Sequence, residues 1–303
     1  MLRSLFLYLS QQPNAKRLLV GFPPTRRLAS RFVAGDNLAD AASVAARLNE
    51  QGLRASLDHL GEHVGSHAEA EVARDAYVEA LSEIHQRQLQ SGISVKLTQL
   101  GLDISEDECA VNLRLVVDYA ERARSFVRVD MENSSYTERT LALVSKMRET
   151  HRSVGAVVQA YLYRSENDVR QLIARGISVR LCKGAYNEPS GVAFPRKADV
   201  DKNYVELMRR LLESGVYHAI ATHDSKIIDE TCQFASERKL GKDSFEFQML
   251  YGIRADLQQR LARQGYRLRI YVPYGREWFS YFMRRLAERP ANVFFVLKGA
   301  LHA

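Results

Sequence analysis

From Asn37 onward, short runs rich in β-branched and aromatic residues alternate with longer segments of helical periodicity. The runs are "RASLDHL", "ISVKLTQ", "FVRVDME", "AVVQAYL", "SVRLCKG", "HAIATHD", "FEFQML" and "LRIYVPY". A helix-compatible segment follows each of the eight, which predicts βα units on a parallel sheet. Eight such units in about 250 residues predict a closed (β/α)8 barrel of the α/β class. The segment "NLADAASVAARLNEQG" predicts a helix ahead of the first strand, with Asn37 or Asp40 as its cap. A ninth β-like run, "NVFFVLK" (Asn292–Lys298), is the alternative eighth strand if "RASLDHL" is not one. Spacing leaves that choice open. Residues 1–37 read as a helical arm broken at Pro13 and at "GFPP" (Gly21–Pro24), and residues 38–303 as the barrel domain.

Parity within the runs says more than their number. Alternate strand residues point to opposite faces. Val95 and Leu97 oppose Ser94, Lys96 and Thr98, and Val127 and Val129 oppose Arg128 and Asp130. Val179 and Leu181 oppose Arg180, and Ile270 and Val272 oppose Arg269 and Tyr271. Leu57 opposes Asp58, three apolar residues oppose Glu246 and Gln248, and Gln159 stands among apolar neighbours. In a barrel the apolar side packs on the outer helices and the polar side points inward, lining the mouth near the strand ends. An antiparallel sheet with one wet face would give similar parity, but the intervening helices count against it.

Composition narrows the class without naming a function. The chain has 303 residues, 46% hydrophobic and 26% charged, enough for a sizeable core and unlike a disordered segment. The net charge of +7 permits an anionic partner. The basic residues are dispersed and lack interleaved aromatics, which speaks against a nucleic-acid binder. Three cysteines, Cys109, Cys182 and Cys232, show no CxxC spacing and read as reduced thiols. The apolar stretch Leu5–Leu9 is too short for a signal peptide, and no run reaches the roughly 18 residues of a spanning helix. A cytoplasmic protein, at most peripheral to a membrane, is expected.

Several strand ends carry candidate chemistry. Lys96 is either a Schiff-base lysine or one half of an ion pair with Asp130, and the pair is the favoured reading. Arg180, Lys183, Gly184 and Tyr186 at one strand end suit an anion. Thr222, His223 and Asp224 lie at another, where Asp224 is also a fair helix cap. No metal-ligand spacing, Walker loop, G-x-G-x-x-G or G-x-S-x-G occurs. Near the end of the chain, "RIYVPYGREWFSYFMRRLAERP" runs from a strand into a helix. Trp278, Phe279, Phe282, Met283 and Leu286 form its apolar face, with Tyr281, Arg284 and Glu288 opposite and Arg285 at the edge. Arg284 and Glu288 form a solvated i,i+4 pair or, since the helix starts at the barrel mouth, Arg284 and Arg285 form a carboxylate clamp.

In order along residues 54–290, "SLDHLGE", "SVKLTQLG", "VRVDMEN", "VVQAYLYR", "VRLCKGAY", "ATHD", "FEFQML", "RIYVPYG" and "YFMRRLAERP" resemble the proline dehydrogenases. That family implies a distorted (β/α)8 TIM barrel whose last helix lies over the mouth while an earlier helix, here 38–51, takes its place. The match to "SLDHLGE" favours counting the first strand there and leaves "NVFFVLK" as a tail. The resemblance implies a flavoprotein oxidoreductase that oxidises L-proline with FAD and passes electrons to a quinone. Arg284, Arg285 and Lys96 would hold the substrate carboxylate, and Tyr271 and Tyr186 would pack near its ring. Asp130 would orient Lys96, and Glu288 would steady the arginines. Gln159, Arg180, Lys183, Gly184, Ala185, Thr222, His223, Asp224 and Gln248 match FAD-lining positions. The stretch between Gly275 and Tyr281 is shorter than in bifunctional proline-utilisation proteins, and their second domain is missing, as in the monofunctional bacterial form. A Schiff-base lyase on Lys96 or Lys183 is the rival enzyme.

Overall fold

The computed structural model describes residues 29–288, except for the side chain of Glu288. Eight parallel strands close into a barrel in the order β1 to β8. They are β1 (Arg54–His59), β2 (Ser91–Val95), β3 (Val127–Val129), β4 (Val154–Gln159), β5 (Ser178–Cys182), β6 (Ala219–Ala221), β7 (Glu246–Leu250) and β8 (Leu268–Tyr274). The first strand is therefore the "RASLDHL" run, and β8 pairs with it over six residues from Arg54↔Arg269 to His59↔Tyr274. The run Asn292–Lys298 lies outside the described residues, as do residues 1–28 of the expected arm.

Helix α1 (Leu38–Glu50) precedes β1, and Asn37 caps it by accepting from the Asp40 amide at 3.0 Å. The helices after the first seven strands are α2 (His67–Gln86), α3 (Glu106–Arg122), α4 (Thr137–Arg148), α5 (Ser165–Ala174), α6 (Lys197–Glu213), α7 (Ser225–Glu237) and α8 (Ala255–Arg263). Ser66 and Ser105 cap α2 and α3 through their hydroxyls, which satisfies amides that a helix start leaves free.

Helix α9 (Trp278–Glu288) follows β8 but does not join the outer ring. Helix α1 packs against β1 and β8, at the position the helix after β8 would otherwise take. Gly275, at φ +118°, turns the chain off β8. Trp278, Phe279, Phe282, Met283 and Leu286 then bury themselves in a separate apolar cluster with Ala29, Val33 and Leu60. Two backbone bonds tie the segment before α1 to this turn, Ala34 N–H to Pro273 O at 2.8 Å and Gly275 N–H to Gly35 O at 2.9 Å. Tyr281 is also buried in this cluster rather than on the polar side, because the N-terminal segment covers a second side of the helix.

The parity of the strands is the parity of the barrel. Leu57, Ile93, Val95, Val127, Val129, Val179, Leu181, Phe247, Ile270 and Val272 join the core between sheet and helices. Ser56, Ser94, Arg128, Arg180, Glu246 and Gln248 are buried with their polar ends bonded across the lumen. Gly155 makes room here, since a Cβ would stand 2.6 Å from the Arg128 guanidinium. That guanidinium donates to Ala156 O at 3.0 Å and Ser178 O at 2.6 Å.

His218, ahead of β6, is fully buried. Its Nδ1 accepts from the Val179 amide at 3.0 Å, so Nε2 carries the proton toward Ser214 Oγ at 2.9 Å. Burial, with the Arg128 charge, pushes its pKa from 6.5 down to about 3. Below pH 6.5 the unfolded chain takes up a proton that the folded chain refuses, so stability should fall from there toward pH 3. At a pH near 5 the loss from this residue should be about 2 kcal/mol. Urea unfolding near pH 7.5 and 5 should show a larger drop for the native chain than for His218→Gln. Equal drops would mean that His218 takes up its proton in the folded state.

Candidate active site

The inward polar residues converge at the C-terminal ends of the strands. Lys96, just beyond β2, donates from Nζ to Asp58 Oδ1 at 2.9 Å and lies 4.0 Å from Asp130 Oδ2. Its nearer partner is thus Asp58 on the neighbouring β1, whereas the sequence suggested Asp130. The β2–β3 register brings Asp130 level with Lys96, but its two oxygens accept from Arg180 and Tyr271, and Asp58 on β1 takes the ammonium. Burial acts to lower the Lys96 pKa, but Asp58 and then Asp130 outweigh it and hold the ammonium protonated. A permanently charged lysine is a poor Schiff-base nucleophile, and the favoured ion-pair reading stands with a changed partner.

Asp130 serves other groups. Arg180 Nη1 donates to its Oδ1 at 2.6 Å, and the Tyr271 hydroxyl donates to its Oδ2 at 2.7 Å. Arg180 also donates from Nε to Gln248 Oε1 at 2.5 Å and from Nη2 to Ser94 Oγ at 3.0 Å. Its guanidinium carbon lies 5.3 Å from the Tyr271 ring centre. Lys96, Asp130, Arg180, Gln248 and Tyr271, five residues singled out from sequence, form one connected network, in which Asp130 and Tyr271 are half-buried and the other three buried.

Above it, α9 brings Arg284 over the mouth. Its guanidinium donates to both Glu62 oxygens, at 2.5 and 3.3 Å, and its central carbon lies 5.9 Å from the Tyr186 ring centre. Burial pushes the Glu62 carboxyl up, but the Arg284 charge outweighs it and holds the pKa below the usual carboxylate range. The described partner of Arg284 is thus Glu62, in the β1–α2 loop, and the side chain of Glu288 lies outside the described residues. Arg285 points differently, over the Tyr281 ring of its own helix at 5.1 Å.

The loop after β5 carries Lys183, Gly184, Ala185 and Tyr186. Gly184 sits at φ +112°, where a Cβ would stand 2.4 Å from the Tyr161 ring. Glu188 pins this loop by accepting from the Ser134 amide at 2.7 Å and the Ser134 hydroxyl at 2.5 Å. Lys183 Nζ donates to Asp201 at 2.5 Å and Asp224 at 2.8 Å. Asp224 also caps α7 through the Lys226 amide, as its local reading expected. His223 Nε2 accepts from the Leu250 amide at 2.9 Å, and Thr222 Oγ1 accepts from the Asp224 amide at 3.1 Å. Gln159 donates to Glu132 O at 3.1 Å, while its buried Oε1 has no hydrogen-bond partner among the described residues. A groove of about 850 Å³ between α6 and α7 opens beside Asp224 and is lined by Lys197, Asp201, Lys202 and Lys226.

Residues 41–298 match the family described as Proline dehydrogenase. Over 301 residues the chain is 45% identical to Proline dehydrogenase 1 of Bacillus subtilis (strain 168), covering 99% of each chain. The chain belongs to the proline dehydrogenase family. It is also 42% identical to Proline dehydrogenase of Deinococcus radiodurans, over 90% of each chain. Among solved structures it resembles proline utilization A (PutA) of Bdellovibrio bacteriovorus inactivated by N-propargylglycine. There the TM-score is 0.82 and the identity 27%, with 87% of this chain covering 33% of that one. The chain spans about a third of that larger protein.

Sequence reasoning passed over Glu62 and Glu188, and gave Asp58 and Glu246 no role. The last two had a signal, since both fall on the polar parity of their strands. Glu62 had only its place in the "SLDHLGE" motif, since its partner Arg284 is 222 positions away. Asp58→Asn should leave Lys96 buried without its main counter-charge and destabilise the chain by roughly 3 kcal/mol or more. An unchanged urea midpoint would show that Asp130 alone neutralises Lys96.

Proposed function

We propose that the chain is an FAD-dependent L-proline dehydrogenase that forms Δ1-pyrroline-5-carboxylate. The observation that carries this reading is Arg284. A helix displaced from the outer ring holds its guanidinium beside Tyr186, above the network of Lys96, Asp130, Arg180 and Tyr271. Guanidinium and ammonium groups around a partly apolar mouth suit a small amino acid carboxylate. Arg284, Arg285 and Lys96 hold that carboxylate in this reading, and Tyr186 and Tyr271 wall the ring. Asp130 fixes Arg180, Tyr271 and Lys96 together. Glu62 steadies Arg284 in this reading, the role that the resemblance implies for Glu288.

The residues present fit a flavin. The unpartnered Gln159 Oε1 is an acceptor suited to a ring N–H, and Gly184 lets the backbone come close. Gln159, Arg180, Gly184, Ala185 and Gln248 would hold the isoalloxazine end. Lys183, Thr222, His223 and Asp224, next to the α6–α7 groove, would hold the phosphate and adenosine end. Bound there, FAD would supply the hydride acceptor, its N5, for the hydrogen on proline C5. The chain's own contribution is to bind the carboxylate, orient C5 and keep water out beneath α9. A quinone is the proposed electron acceptor. The net charge of +7 accords with peripheral contact at a cytoplasmic membrane face. No described helix is long and apolar enough to cross a membrane.

Protein purified and supplied with FAD should show a visible flavin band that proline bleaches without oxygen. Persistent failure to bind flavin would sink the proposal. Arg284→Ala and Arg285→Ala should each raise KM for proline about 10- to 100-fold with flavin retained. An unchanged KM in both would remove the clamp.

A further inference from the structure

We infer that Glu246, at the floor of the barrel, is a positioning residue for this reaction. It fixes the orientation of the Gln248 amide and, through that amide, the aim of Arg180. The inference rests on the reading of Arg180 as a flavin-facing residue.

Glu246 lies on β7 and is 2% exposed. Its carboxylate accepts from Arg269 Nε at 2.7 Å and Nη2 at 3.1 Å, from the Tyr217 hydroxyl at 3.0 Å and from Gln248 Nε2 at 2.6 Å. Burial pushes this carboxyl up, but Arg269 outweighs it and holds the pKa at about 2. An ionised carboxylate accepts and cannot donate. Gln248 must therefore turn its NH2 toward Glu246, which leaves Oε1 as an acceptor facing Arg180 Nε at 2.5 Å. The flipped amide would set carbonyl against carboxylate and NH2 against guanidinium. Neither pair can bond, and both would be buried.

With Nε held, the Arg180 fork has one orientation. Nη1 meets Asp130 at 2.6 Å, and Nη2 meets Ser94 at 3.0 Å. Asp130 then receives the Tyr271 hydroxyl at 2.7 Å with Lys96 4.0 Å away. One charge at the barrel floor thus sets a chain of fixed donor and acceptor directions that ends at the mouth. A counter-charge for Arg269 would need only the carboxylate. Orientation of Arg180 needs an acceptor-only group beside Gln248, and that difference can be tested.

Glu246→Gln removes the constraint on the amide. Glu246→Gln/Arg269→Met removes that constraint as well, but leaves neither charge of the ion pair stranded. Displacing a reacting group slightly can lower a rate by up to about 100-fold. Glu246→Gln should therefore lower kcat by roughly 10- to 100-fold, leave KM for proline within about twofold and shift the bound flavin's visible spectrum. The double variant should keep the kcat loss and the spectral shift while recovering thermal stability lost in Glu246→Gln. A native kcat and spectrum in Glu246→Gln would overturn the inference. So would a double variant with native kcat and spectrum, which is the outcome expected of a counter-charge alone. If Glu246→Gln does not fold, the double variant carries the same test. Failure of proline to bleach flavin in the native protein would instead refute the functional reading itself.

Discussion

A closed barrel whose lumen is charged can exist only if those charges find their partners inside it. The wall leaves no alternative, because every second residue of each strand is committed to the apolar core outside. Asp58, Lys96, Asp130 and Arg180 therefore pair with one another across β1, β2, β3 and β5, and Glu246 pairs with Arg269 across β7 and β8. Breaking any one pair strands a charge in low dielectric. That penalty makes the network stiff, and stiffness at the strand ends is what a site that positions a small substrate needs. Arg128 meets the same demand with backbone carbonyls, which Gly155 lets it reach.

The second constraint is an exchange of helices. Because α1 packs on β1 and β8, the helix after β8 has no place in the ring. It turns at Gly275 and lies against a small apolar cluster of its own, closed from the far side by Ala29, Phe32 and Val33. That placement brings Arg284 to Glu62 and Tyr186. A helix packed on the outer wall would have pointed the same arginine into solvent.

Strand parity made much of the site legible beforehand. Asp58, Arg128, Asp130, Arg180, Glu246, Gln248 and Tyr271 all stood on the inward side of their runs, and all are in the lumen network. The choice of partner was not legible. Lys96 bonds Asp58 more closely than Asp130 because Arg180 and Tyr271, brought round by β5 and β8, take the two Asp130 oxygens. The surroundings of the last helix were legible in part. Its five large apolar residues are buried as their spacing required, but Tyr281 is buried as well, because the N-terminal segment adds a surface that helical periodicity cannot foresee.

The sequence by itself determined the alternation of strands and helices, the inward set of polar residues and the likeness to one family. These are local or cumulative properties: side-chain period, turn residues and motif order. Only the tertiary structure decided which carboxylate neutralises which cation, and that the two adjacent arginines separate, Arg284 toward Glu62 and Arg285 over Tyr281. Adjacent helix residues diverge by about 100°. Their partners are then set by what surrounds the helix, and those surroundings come from opposite ends of the chain.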